Sequence, residues 1–321
     1  MHPFRYHRPT DHDDAHRRLA ELGAAPLGGG TDLLVCMKEE VLRPAALVDL
    51  RALPGIDTIT FRADGSARLG AGARVHDLAT HPELTAHFPA LAEACGAVGT
   101  PALRNMGTLG GNLCQRPRCW YFRRNVSCLK NGGTGCPAEH GENQYHAILD
   151  GGPCFIVHPS DPAVALTALE ATVEIASASG TRTLPIAEFY LLPRERLDHE
   201  TVLAAGEWVS AVELPAGSAG GWQRYYKAMQ RGAWDFALVS LAATRRQDGE
   251  VRFVFGGVAP RPWRVYDSIE EDAKVGNLDA ADVETLAERA LYDAAPLEKN
   301  GYKVTMATAL LRQAIRDMWA A

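Results

Sequence analysis

Nothing in this 321-residue chain approaches the ~18–20 apolar residues in a row that cross a bilayer. It has no excess of basic residues. Its 33 Lys and Arg against 39 Asp and Glu leave a net charge of −6, which excludes nucleic-acid binding by the chain as a whole. Met1 to Arg18 is polar and His-rich and has no signal-peptide core, so a reducing, cytoplasmic compartment is expected. Seven cysteines, an odd number, argue against a disulfide framework there. There is no pair of C-x2–4-C zinc knuckles, no C-x2-C-x2-C run, no G-x-G-x-x-G fingerprint, no Walker loop, no H-E-x-x-H and no Ser/His/Asp elbow. Repeats and low-complexity tracts are absent as well.

What the chain does have is an ordinary globular composition, 46% hydrophobic and 22% charged, with length for two or three domains. Phe4–His7 reads as a strand. Thr10 and Asp13 sit in capping-box positions before a helix over 11–22, closed by Gly23. A short strand over 25–27 leads into Gly28-Gly29-Gly30-Thr31-Asp32. Thr31 or Asp32 is positioned to cap a helix over 33–40, and 46–50 returns as a strand. From Ile56 the pattern changes to a hairpin about Asp64-Gly65, then helices over 75–80 and 89–98. A helix over 162–169 and strands over 172–177 and 209–214 follow. Past the small-residue linker Pro215–Gly221, three strands are expected (222–227, 237–245 and 250–257), then amphipathic helices over 279–293 and 304–319.

Two glycine turns and one cysteine cluster carry the chemistry. A phosphate needs several N–H donors converging without side chains in the way, and glycine permits both the close approach and positive φ. Gly28–Gly30 reads as a tight strand-to-helix turn when taken alone. With Gly107-Thr108-Leu109-Gly110-Gly111-Asn112 in the same chain, the pair points to a pyrophosphate held between two domains. Cys119, Cys128, Cys136 and Cys154 then fall in a segment with little periodicity, spaced Cys-x8-Cys-x7-Cys-x17-Cys. A long loop inside a compact domain needs a reason, and a metal staple is one; unrelated reduced cysteines are the other. Arg116, Arg118, Arg123, Arg124 and Lys130 lie among them, cations suited to a negatively charged thiolate cluster. Cys114, five residues before Cys119, is a rival ligand. Cys36 and Cys95 read as small core residues. His2, His7, His12 and His16 straddle a strand and a helix and read as a solvated face. Asp161 follows His158-Pro159-Ser160 and suits either a ligand hydroxyl or a helix cap. Lys227 suits either a cofactor contact or surface charge.

Leu27-Gly-Gly-Gly-Thr-Asp-Leu-Leu34, Gly107-Thr-Leu-Gly-Gly-Asn112, Ser160-Asp-Pro-Ala163, and Tyr226-Lys227 before Phe236-Ala-Leu-Val-Ser240 together resemble the FAD-binding medium subunit of the molybdenum hydroxylases, the xanthine dehydrogenase family. Phe255-Gly-Gly-Val-Ala259 and Pro262-Trp-Arg264 look like its C-terminal domain. The cysteine-bearing link resembles the subgroup with an added [4Fe–4S] cluster. Within that subgroup Arg118-Cys-Trp-Tyr-Phe122 looks more like the bacterial aldehyde oxidoreductases than the hydroxybenzoyl-CoA reductases.

The resemblance implies an α+β fold of the vanillyl-alcohol-oxidase/PCMH type. Two α/β FAD-binding subdomains, 1–55 and 56–215, would carry the insert 114–155, and 222–321 would form a three-stranded antiparallel sheet with helices. Ala25, Pro26, Leu27, Gly28, Gly29, Gly30, Thr31, Asp32 and Leu33 would embrace the FAD pyrophosphate with Thr108, Leu109, Gly110, Gly111 and Asn112. Asp161 would hold the ribityl chain or a phosphate neighbour, with Leu203 and Lys227 near the isoalloxazine. Cys119, Cys128, Cys136 and Cys154 would bind the [4Fe–4S] cluster. A large molybdopterin subunit and a small subunit with two [2Fe–2S] clusters would complete a heterotrimer. Substrate chemistry would then occur on the partner, with no catalytic residue in this chain, and electrons would leave through FAD to an external acceptor. Export with a partner bearing a twin-arginine signal would make the complex periplasmic. A hydroxybenzoyl-CoA reductase or xanthine dehydrogenase type, and a stand-alone flavoprotein oxidase with a structural zinc, are the alternatives.

Overall fold

The computed structural model describes residues 1–276 and 278–320. Three sheets organise it. The first is parallel, with the central strand Ala46–Asp49 flanked by Arg5–His7 and Ala24–Leu27. The second is antiparallel and five-stranded, in the order Ile59–Phe61, Ala67–Gly70, Trp208–Leu214, Thr172–Ser177, Gly180–Pro185. The third carries one strand more than expected. The two-residue strand Trp263–Arg264 pairs with Val251–Gly256, beyond Val239–Arg245 and Trp222–Ala228. Two residues are too short to show an alternation, which is why the pattern misses it.

The first helix is His12–Leu19, and Asp11 rather than Thr10 caps it by accepting from the Asp14 N–H at 2.7 Å. Gly107–Asn112 is not a turn throughout. Thr108 accepts from the Gly111 N–H and starts a short helix, Leu109–Leu113. Helices Pro82–His87, Pro101–Met106 and Asp267–Lys274 add to the expected ones; proline at the first turn marks the first two, with a Thr100 cap on Pro101–Met106, and Asp267–Lys274 has neither signal. Ser160, not Asp161, caps the helix Asp161–Ala168, accepting from Ala163 N–H at 3.1 Å. His16 packs at a tilt against Trp208, with ring centroids 4.4 Å apart, so that histidine is not merely solvated.

The main core runs from Ala15, Leu19 and Val48 of the first sheet's layer into the second sheet and on to Ala242 and Val254 of the third. A second core lies between the third sheet and the C-terminal helices, among them Ala280–Arg289 and Tyr302–Ala320. Ile148 and Leu149 belong to it, so the tail of the cysteine segment is anchored in the C-terminal domain.

Candidate functional site

The two glycine turns touch each other. A Cβ on Gly29 would lie 1.7 Å from the Met106 carbonyl oxygen, and one on Gly28 would lie 2.5 Å from Thr108 Oγ1. Only glycine lets the strand Ala24–Leu27 close on the second turn this tightly. Gly30 has φ +72°, a left-handed bend that aims the chain into the helix Leu33–Lys38. The second turn is clamped in its place by Val75 N–H on Gly107 O and Leu109 N–H on Ala73 O.

A groove passes these turns. Gly28, Thr108, Gly110, Gly111, Arg51 and Leu203 line its first part. Thr31, Asp32, Gly107, Gly111, Asn112 and Asp161 line the second. The third is a cavity of about 500 Å³ reaching Asp161, His158, Ser160, Phe236, Arg231 and the start of the cysteine segment. Gly111 joins the first two parts, and Arg118, Asp161 and Phe236 join the last two. The length and the mixed lining suit an extended dinucleotide. Ala25 and Leu33 pack behind the first turn with Leu27, around Leu47.

Asp161 is 5% exposed and sits in a polar cluster. Tyr225 Oη donates to its Oδ1 at 2.6 Å and Lys227 Nζ to its Oδ2 at 2.8 Å; Lys227 also donates to Ala97 O. Burial pushes the Asp161 carboxyl up, against the pull of Lys227 and Tyr225. Lys227 is therefore neither surface charge nor a groove-lining residue: it stands behind Asp161. Leu203 lines the first part of the groove, and Lys227 lines none of its three parts. Tyr225 was missed, since nothing in its local sequence marks it.

Asp32 does not cap its helix. Its carboxylate accepts from Arg116 N–H at 2.7 Å, from Arg118 and from Arg123 at 2.8 Å. Burial opposes ionisation there, yet Arg118 and Arg123 hold the carboxyl below its usual range. The Arg116 side chain pairs with buried Glu200 at 2.6 Å, and Lys130 donates to the same carboxylate at 2.7 Å. Arg116, Arg118 and Arg123 thus bolt the cysteine segment to the groove instead of surrounding the thiols, which corrects the expected role of these cations.

Cys119, Cys128, Cys136 and Cys154 all line one small cavity with Lys130 and His146. Cys114 does not join them but lines the groove beside Gly110. The mutual proximity of Cys136 and Cys154 pushes the Cys136 thiol down and, with burial, the Cys154 thiol up. Burial pushes Cys119 up to about 11. Among the described residues no three His, Cys, Asp or Glu converge on a single ion. His146, missed in the sequence, lies 3.3 Å by Nε2 from Cys119 Sγ, and burial lowers it to about 4.

Comparison with known proteins gives this arrangement a family. Residues 2–217 match the FAD binding domain in molybdopterin dehydrogenase, and 224–318 match the CO dehydrogenase flavoprotein C-terminal domain. The chain belongs to the FAD-binding medium subunits of the molybdenum hydroxylases. The flavin subunit is similar to the aldehyde oxidoreductase FAD-binding subunit PaoB of Escherichia coli K12, at 37% identity over 99% of this chain and 98% of that one. It is similar to a xanthine dehydrogenase FAD-binding subunit of Escherichia coli O157:H7, at 29% identity over 91% of this chain and 86% of that one. Its fold matches carbon monoxide dehydrogenase from Hydrogenophaga pseudoflava with a TM-score of 0.76 at 26% identity, covering 100% of this chain and 99% of that one. The flavin subunit is thus part of an oxidoreductase and binds FAD. Among its described residues no helix is long and apolar enough to cross a membrane.

Proposed function

We propose that this chain is the FAD- and [4Fe–4S]-carrying electron-exit subunit of a heterotrimeric aldehyde oxidoreductase, which oxidises aldehydes to carboxylic acids on a partner. The convergence of Cys119, Cys128, Cys136 and Cys154 on one cavity beside the groove carries the reading. Gly28–Gly30 and Thr108–Asn112 would hold the FAD pyrophosphate where side chains are excluded. Asp161, fixed by Tyr225 and Lys227, would receive a ribityl hydroxyl. FAD when bound supplies two-electron uptake and release singly or in pairs. The chain's own residues would position it. Resemblance to the named aldehyde oxidoreductase subunit supports a large molybdopterin partner, a small partner with two [2Fe–2S] clusters and an external acceptor.

The test is iron, sulfide, zinc and flavin analysis of the complex purified with its partners, wild type beside Cys128→Ser. Expected are about four irons beyond the [2Fe–2S] content, lost from the variant while flavin stays. Flavin with zinc and no added iron would overturn the reading in favour of a zinc-stapled flavoprotein.

A further inference from the structure

Three residues line both the cysteine cavity and the large cavity of the groove: Cys119, Ile156 and His146. Of these, His146 is the one with a polar group free to act on another. Its Nε2 faces Cys119 Sγ at 3.3 Å, while its buried Nδ1 has no hydrogen-bond partner among the described residues. A neutral imidazole carries one ring proton, which is most stable on the nitrogen that faces an acceptor. Held as a cluster ligand, Cys119 would be a thiolate and such an acceptor, which would place the proton on Nε2.

The ring is held there by the backbone around it. The His146 N–H donates to Asn143 O at 3.0 Å, and its carbonyl accepts from Asn300 Nδ2 at 3.1 Å. The preceding carbonyl, of Tyr145, accepts from Lys303 Nζ at 2.9 Å. Asn300 and Lys303 are fully buried at the start of the last helix, and Lys303 also reaches Gly257 O at 2.7 Å. Trp120 meets the ring edge-on, with centroids 6.0 Å apart. The C-terminal domain thus fixes where the imidazole points.

We propose that His146 is a positioning residue for Cys119, donating its Nε2–H to that thiolate on the wall facing the flavin groove and raising the reduction potential of the cluster Cys119 would help hold. The proposal rests on the four-cysteine reading above. Hydrogen bonds to cluster sulfurs are among the groups that set iron–sulfur potentials, and a donor favours the more negative, reduced state.

The experiment is an EPR-monitored redox titration of the purified complex, with iron and sulfide assays, for wild type, His146→Leu and His146→Gln. Expected is full iron in all three. In His146→Leu the reduced-to-oxidised ratio of the [4Fe–4S] signal at a fixed potential should fall about tenfold, a shift of ~59 mV to lower potential for a one-electron couple. His146→Gln keeps an N–H donor and should recover most of that shift. An unmoved midpoint in iron-replete His146→Leu would overturn the proposal and leave the cluster reading intact. Loss of iron from both variants would overturn it in favour of a scaffolding role. A wild-type complex without the added iron would overturn the cluster reading and this proposal with it.

Discussion

At the scale of single residues, the groove depends on a buried charge kept in place by two partners. The Asp161 and Lys227 side chains are 6% and 4% exposed, so neither charge is shared with water. Removing one partner of such a pair leaves the other charge stranded. Lys227→Met is expected to cost about 3–5 kcal/mol, measured by urea unfolding of the purified complex. A melt within error of wild type would show that the pair contributes little. Asp161 was legible in the sequence because it follows Ser160 and opens a proline-started helix. Its partners were not: Tyr225 and Lys227 lie 64 and 66 residues away, and a spacing of that size leaves no local signal. His146 was illegible for the same reason, being defined by a cysteine 27 residues earlier.

At the scale of elements, the contact between the two glycine turns decides the shape of the groove. Gly29→Ala would drive a methyl group into the Met106 carbonyl, at backbone that cannot swing aside as a side chain can. A destabilisation of at least about 1–3 kcal/mol is expected. Flavin absorbance per protein should fall with it, since the turns would part. Gly135→Ala, whose Cβ would meet open space, is the matched control and should keep both. Glycine runs at strand ends carry their own signature, so these turns could be read from the sequence, as could the strand Thr172–Ser177 and the helix Ala280–Arg289. The helix inside the second turn could not. Gly110 and Gly111 are poor helix formers, and only the Thr108 cap and the surrounding packing hold them there.

At the scale of the whole molecule, the cysteine segment links the parts of the fold. Arg118 and Arg123 tie it to Asp32 in the first α/β layer. Lys130 ties it to Glu200 beside the five-stranded sheet, and Asn300 and Lys303 tie it to the C-terminal helix. Composition suggests only that a long loop needs a staple. The burial of these polar ties shows that the loop is already well fixed by side chains, with the four thiols gathered at its centre. The arrangement supports the proposed task, holding redox groups at fixed separations and passing electrons on while a partner makes bonds.

That division of labour is most directly tested by anaerobic mixing with excess aldehyde, followed at the flavin absorbance, for the assembled complex and for this chain alone with FAD bound. The expected result is bleaching of the flavin in the complex and none in the isolated chain. Bleaching of the isolated chain by aldehyde would place substrate oxidation on this subunit and contradict the account.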